Sequence, residues 1–262
     1  MEFSLSSEQK LIFETAYEFG QNSIAPFALE WENSLIPKGV LKEAGELGFG
    51  SLYVNEVDGG SGLSRLDSTL VFEALAMACP SVSSFISIHN MCAWMISQYG
   101  NQHVKKEFLH PMIRMDKICS YCLTEPDSGS DSAALSTKAE KTNEGFRVNG
   151  TKSFISGGAF SDIYLTMVRT GEAGPHGISA LLVEKNTKGL CFGSNEEKMG
   201  WKSQPTAQVI FDDCSISSEQ LLGEENKGFI YAMRGLDGGR LNIAAAALGG
   251  AQTALNIAKN YI

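Results

Sequence analysis

The sequence predicts an α+β protein of more than one domain: helices first, a β-rich middle, then a long helix. Three observations predict it. Apolar residues recur at three- and four-residue spacing up to about position 115, the period drops to two from about position 118, and a helical pattern resumes near position 229. The corresponding domains are 1–117, all-α; 118–225, a β-barrel or sandwich; and 226–262, the first helix of a C-terminal helical domain.

Each element follows from local signals. Ser6 and Gln9 have capping-box spacing, and Leu11, Ile12, Ala16 and Phe19 then fall on one face. Pro37 opens a second helix over 38–48, and residues 65–79 make a third that Pro80 stops. The fourth carries the clearest stripe: Phe85, Ile88, Cys92, Met95, Ile96 and Tyr99, ended by Gly100. Residues 102–115 read as one more helix, with Pro111 a break. Strand candidates are Tyr121 to Thr124, then 163–168, 178–183 and 208–211, and Asn149-Gly150 between two β-rich triplets predicts a two-residue hairpin. In the last helix Ile243, Ala247, Leu248, Ala251, Leu255 and Ala258 form the apolar face. That helix has no C-cap or glycine stop, so a face of that length predicts a covering partner and a chain cut short within a helical domain.

Composition narrows the function classes. Of 262 residues 43% are hydrophobic and 19% charged, the balance of a folded globular chain. With 21 Lys+Arg against 30 Asp+Glu the net charge is −9, which excludes a phosphate-tracking nucleic-acid binder. No apolar run nears the ~20 residues of a membrane span. The acidic start, Met1-Glu2-Phe3-Ser4-Leu5, has neither a secretory apolar region nor an Arg-rich presequence. Six scattered cysteines read as reduced core residues. Cys119-Ser120-Tyr121-Cys122 has redox spacing but no second pair for zinc, leaving buried cysteines or a redox pair open.

The run Tyr121-Cys122-Leu123-Thr124-Glu125-Pro126-Asp127-Ser128-Gly129-Ser130-Asp131 is the densest cluster of candidate site residues. It sets hydroxyls, backbone amides and a Pro/Gly turn in one loop, able to offer convergent donors to a planar polar ring or a phosphate. Thr124, Ser128 and Ser130 could equally satisfy the turn's own backbone. Phe154 could be core, His89 a hydrogen-bonded buried histidine, and Asp237 with Arg240 an i,i+3 pair.

Six segments decide between these readings by their order. Gly48-Phe49-Gly50, Asp58-Gly59-Gly60-Ser61-Gly62, the run from Tyr121 to Asp131, Asn149-Gly150-Thr151-Lys152, Lys198-Met199-Gly200-Trp201 and Val209-Ile210-Phe211-Asp212-Asp213-Cys214 together resemble the acyl-CoA dehydrogenases. Ser87-Ile88-His89-Asn90-Met91-Cys92, Trp201-Lys202-Ser203-Gln204-Pro205-Thr206 and Arg234-Gly235-Leu236-Asp237-Gly238-Gly239-Arg240 look like members acting on a short branched acyl-CoA, isobutyryl-CoA of valine catabolism.

The resemblance implies FAD as cofactor. It implies that Tyr121, Cys122, Leu123, Thr124, Glu125, Pro126, Asp127, Ser128, Gly129 and Ser130 form one flavin wall, and Phe154, Ile155 and Ser156 the other. Many relatives carry Trp and Thr where this chain has Phe154 and Ser156. Ser130, Asp237, Gly238, Gly239 and Arg240 would meet the acyl-CoA. The implied reaction takes a proton from the carbon next to the thioester and a hydride from the β-carbon, with electrons passing to an electron-transferring flavoprotein. The base is a Glu expected beyond Ile262; a minority of relatives place it where this chain has Gly239, and nothing matches Glu224 or Glu225 to that role. No catalytic residue and no metal ligand is therefore assigned. A form that binds flavin, CoA or partner subunits without turnover is the alternative. The family also implies a homo-oligomer and the mitochondrial matrix.

Overall fold

The computed structural model describes residues 4–262; Met1, Glu2 and Phe3, on which the reading of the acidic start partly rests, lie outside the described residues. The first helix, α1 (Ser7–Phe19), opens on the expected capping box. Gln9 N donates to Ser6 Oγ and Ser6 N to Gln9 Oε1, each at 3.1 Å. Ala16 and Phe19 are buried, whereas Leu11 is 64% exposed and lies off the packed face. After a π turn and a 3-10 turn come α2 (Ala28–Trp31), α3 (Lys38–Glu46), α4 (Arg65–Ala78) and α5 (Pro80–Tyr99). Pro80 both stops α4 and opens α5, because its missing N–H falls among donors that a helix start leaves unpaired anyway. The next helical stretch is α6 (Gln102–Val104), a π turn (Lys105–Leu109) and α7 (His110–Ile113). Its irregularity precedes Pro111, which sits in the first turn of α7.

The β region has eight strands: β1 (Cys119–Cys122), β2 (Lys138–Lys141), β3 (Gly145–Ser156), β4 (Ile163–Arg169), β5 (Ile178–Glu184), β6 (Leu190–Phe192), β7 (Thr206–Ser217) and β8 (Leu221–Leu222). They form one sheet in the order β6-β7-β3-β2-β4-β5-β8, with β1 parallel to β4. Val148, Val209 and Phe211 from one wing share a buried cluster with Tyr164, Leu181 and Val183 from the other, so the sheet curls around its own core.

One expectation is overturned here. Asn149-Gly150 makes no hairpin; both residues lie inside β3, a single 12-residue strand. The strand shifts register between Val148 and Gly150, where Asn149 Oδ1 accepts from Asp213 N at 2.8 Å. Gly150 has φ +149, and a Cβ there would stand 2.6 Å from Thr137 Oγ1. The glycine serves a bulge and a close crossing, not a turn.

The last helix, α8 (Gly228–Tyr261), packs on the other helices through its small-residue face and leaves the apolar face read from the sequence uncovered, as a face awaiting a partner would be. Its packed residues are Gly228, Tyr231, Ala232, Gly235, Gly238, Asn242, Ala245, Ala246 and Gly249. Small side chains let α8 lie close against α4 and α5; a Cβ on Gly249 would come 2.1 Å from Glu73 O. Ile243, Leu248 and Leu255 are exposed at 38%, 62% and 55%. Close backbone approach, not side-chain size, selects the packed stripe.

A buried histidine joins the helices to the sheet. His89 accepts from Cys119 N at Nδ1 (3.1 Å) and donates from Nε2 to Met112 O (2.9 Å), so it is the hydrogen-bonded core residue. Burial lowers its pKa to about 4, so the ring stays neutral near pH 7. All six cysteines are free and five are buried, including Cys119 and Cys122; Cys191 is exposed.

Candidate functional site

A cavity of about 850 Å³ opens where the end of β1, the end of β3, α5 and α8 meet. Tyr121, Leu123, Thr124, Gly129 and Ser130 line one side, and Phe154, Ile155 and Ser156 another. Gly239 and Arg240 reach it from α8. Five residues outside the expected set complete the part used below: Ser87 and Met91 from α5, Ser132 just after the loop, and Met233 and Leu236 from α8. The helical spacing of those on α5 and α8 resembles ordinary core packing; a serine and methionines inside an apolar stripe were the available signal.

Phe154 occupies the rim under conformational strain. Its φ is +57 and its side chain is 66% exposed, at a second register shift between Lys152 and Ile155 in β3. That backbone region disfavours side chains other than glycine, and the ring gains little burial in return. Phe154 is therefore not a core residue.

The hydroxyls divide cleanly. Ser128 Oγ donates to Asp131 O at 2.6 Å and satisfies the turn itself. No hydrogen bond among the described residues engages the hydroxyls of Thr124, Ser130, Ser132 or Ser156, all on the cavity wall. Tyr121 Oη is buried and unpartnered as well, an uncommon state for a polar atom. A flat rim aromatic opposite several free donors suits a planar heteroaromatic group with polar edges. Met91, Met233 and Leu236 supply the apolar surface a short acyl chain would contact.

The other expected residues lie off this wall. Cys122 is sealed in the sheet core, where burial pushes its thiol well up. Pro126 and Asp127 form the exposed outer turn. Glu125 points beneath the loop, where it is 4% exposed. On α8, Gly238 packs against Arg65, whose Nη1 would be 2.3 Å from an added Cβ. Arg65 stacks over the Tyr53 ring at 3.7 Å, so Gly238 makes room for that stack. Asp237 is exposed, and no ion pair links it to Arg240 among the described residues. Among the described residues, those lining the cavity include neither a carboxylate nor an imidazole.

Comparison with known proteins agrees with this architecture. The acyl-CoA dehydrogenase N-terminal domain matches residues 6–116 and the middle domain of the same family residues 120–214. The chain is 53% identical to the mitochondrial isobutyryl-CoA dehydrogenase of Dictyostelium discoideum and 47% to that of Bos taurus, each over 98% of this chain. It spans 62% of the length of each of these relatives. The solved butyryl-CoA dehydrogenase of Megasphaera elsdenii superposes with a TM-score of 0.94 at 36% identity, over 100% of this chain and 70% of that one. On sequence, domain order and fold, the chain belongs to the acyl-CoA dehydrogenase family.

Proposed function

We propose that the cavity holds FAD and a short branched acyl-CoA, isobutyryl-CoA first, for α,β-dehydrogenation. The observation that carries this reading is Phe154, strained and exposed at the rim, across a cavity from hydroxyls with no protein partner. Thr124 and the neighbouring backbone hydrogen-bond the polar edge of the flavin, and Phe154 with Ser156 bounds its other side. Bound FAD supplies the hydride acceptor. Ser130, Gly239 and Arg240 meet the CoA ester, with Gly239 leaving room for close approach. Met91, Met233 and Leu236 keep water from the acyl chain, so a proton can leave a weakly acidic carbon. That proton needs a carboxylate within reach, and none lines the cavity among the described residues. The family resemblance puts that base beyond Ile262.

Further parts of the reading rest on the family. Electrons leave to an electron-transferring flavoprotein, subunits assemble as a homo-oligomer, and the protein works in the mitochondrial matrix; the names of its relatives support a mitochondrial setting. The division into 1–117, 118–225 and 226–262 is proposed with them. The second reading, binding without turnover, is supported by a cavity wall on which the described residues place no carboxylate.

The visible spectrum of the purified chain, before and after isobutyryl-CoA, tests both readings. A flavin band that stays oxidised supports binding without turnover. Bleaching with substrate means a base that this geometry does not contain. A colourless protein that FAD does not restore contradicts the flavin assignment.

A further inference from the structure

Beneath the loop with the free hydroxyls lies an ion pair that the proposed chemistry leaves unused. Lys152 reaches down from β3, its side chain 0% exposed, and Nζ donates to Glu125 Oε1 at 2.7 Å and to Leu123 O at 3.1 Å. Glu125 Oε1 also accepts from Thr137 N at 2.9 Å. Its Oε2 accepts from Ser136 N at 2.6 Å and from Ser136 Oγ at 2.8 Å. Burial alone would raise the Glu125 carboxyl, but the Lys152 ammonium and these donors outweigh it and hold the pKa down at about 2. Burial lowers the Lys152 ammonium below the ordinary lysine value, against the pull of Glu125.

The pair touches both walls of the cavity. Leu123, whose carbonyl it holds, precedes Thr124 on one wall; Lys152 itself lies two residues before Phe154 on the other. Ser153 N adds a second tie, donating to Thr124 O at 2.8 Å. Apolar side chains could fill such a site with equal or greater stability, whereas charge-assisted bonds fix direction as well as distance.

We infer that Lys152 and Glu125 are a positioning pair that locks the Leu123–Thr124 wall against the Phe154–Ser156 wall and so sets the width of the slot between them. The ligand in that slot rests on the flavin reading above; the coupling of the walls does not.

The test uses wild type, E125Q, K152M and the double variant E125Q/K152M. Hydrogen exchange is followed in flavin-free protein, and FAD binding by titration. The double variant leaves no buried charge unpaired, so it decides the question if K152M alone fails to fold. Residues 123–131 and 153–156 are expected to lose protection together, with β5 unchanged as the reference. FAD affinity is expected to fall about tenfold or more, the scale of one lost charge-assisted bond. A folded double variant with wild-type protection in either segment, or with wild-type FAD affinity, overturns the positioning role. Wild type that fails to bind FAD, while the variants lose protection in both segments, overturns the flavin reading and supports the coupling.

Discussion

The floor and the rim of the cavity are built from the same short loop on opposite terms. On the floor, Glu125 accepts four hydrogen bonds, and Ser128 and Glu125 exchange backbone bonds at 2.9 and 3.2 Å. On the rim, Thr124, Ser130 and Ser156 keep unused hydroxyls and Phe154 keeps a strained backbone. A fold that satisfies the buried carboxylate and ammonium below and leaves donors idle above has stability concentrated in one place and binding capacity in the other. Substitutions in the floor should therefore act first on stability, and on binding only by shifting the walls, whereas substitutions at the rim act on binding directly.

The largest effect expected is at Lys152. K152M strands a buried carboxylate and should destabilise by about 3–5 kcal/mol in denaturant unfolding, with the E125Q/K152M double variant recovering most of the loss. A K152M protein as stable as wild type would remove the distinction between floor and rim.

His89, which supports β1 from behind, should give the next effect. Its folded pKa of about 4 lies below the unfolded value of 6.5, so the unfolded chain binds the extra proton between them. The stability it contributes is fully present above pH 6.5 and is lost as pH falls towards 4, by roughly 3 kcal/mol. Denaturant midpoints across that range should fall for wild type and stay flatter for H89Q.

Gly249 probes the packing that brings α8 to the cavity. G249A should destabilise by about 2 kcal/mol, since the new methyl meets the backbone of Glu73, whereas L248A on the exposed face should change stability by less than about 0.5 kcal/mol.

The smallest stability effects belong to the rim. F154G relieves a left-handed backbone at an exposed residue and should leave stability within about 1 kcal/mol of wild type. T124A and S130A should stay within about 0.5 kcal/mol. In FAD titrations F154G should lose about tenfold in affinity and each hydroxyl deletion about fivefold. Losses in stability without losses in binding would reverse the assignment of the rim.

The sequence carried this contrast only in part. Helix starts were legible because their chemistry is local, as in the Ser6–Gln9 box. So was the change of period at β1. The loop from Tyr121 to Ser130 was legible as a cluster of polar groups, five of whose residues line the cavity, but its division into floor and rim was not, because Lys152 meets Glu125 across 27 positions of chain. The Asn149-Gly150 turn signal failed because a bulge and a hairpin favour the same dipeptide, and only the pairing of β3 with β7 separates them. On α8 the uncovered apolar face was legible, but the packed face was not. Gly235, Gly238 and Gly249 score as weakly apolar yet permit the closest approach, so larger residues on the opposite face dominated the pattern. Ser87 and Met91 were hidden by the regularity of α5, whose stripe reads as core along its whole length.

The most direct test is a fluorescence titration of FAD with the purified chain. If the rim hydroxyls and Phe154 bound a flavin slot, emission should change saturably to a one-to-one end point, and F154G should weaken that binding while unfolding at nearly the wild-type denaturant concentration. A folded wild-type chain that produces no saturable change would contradict the account.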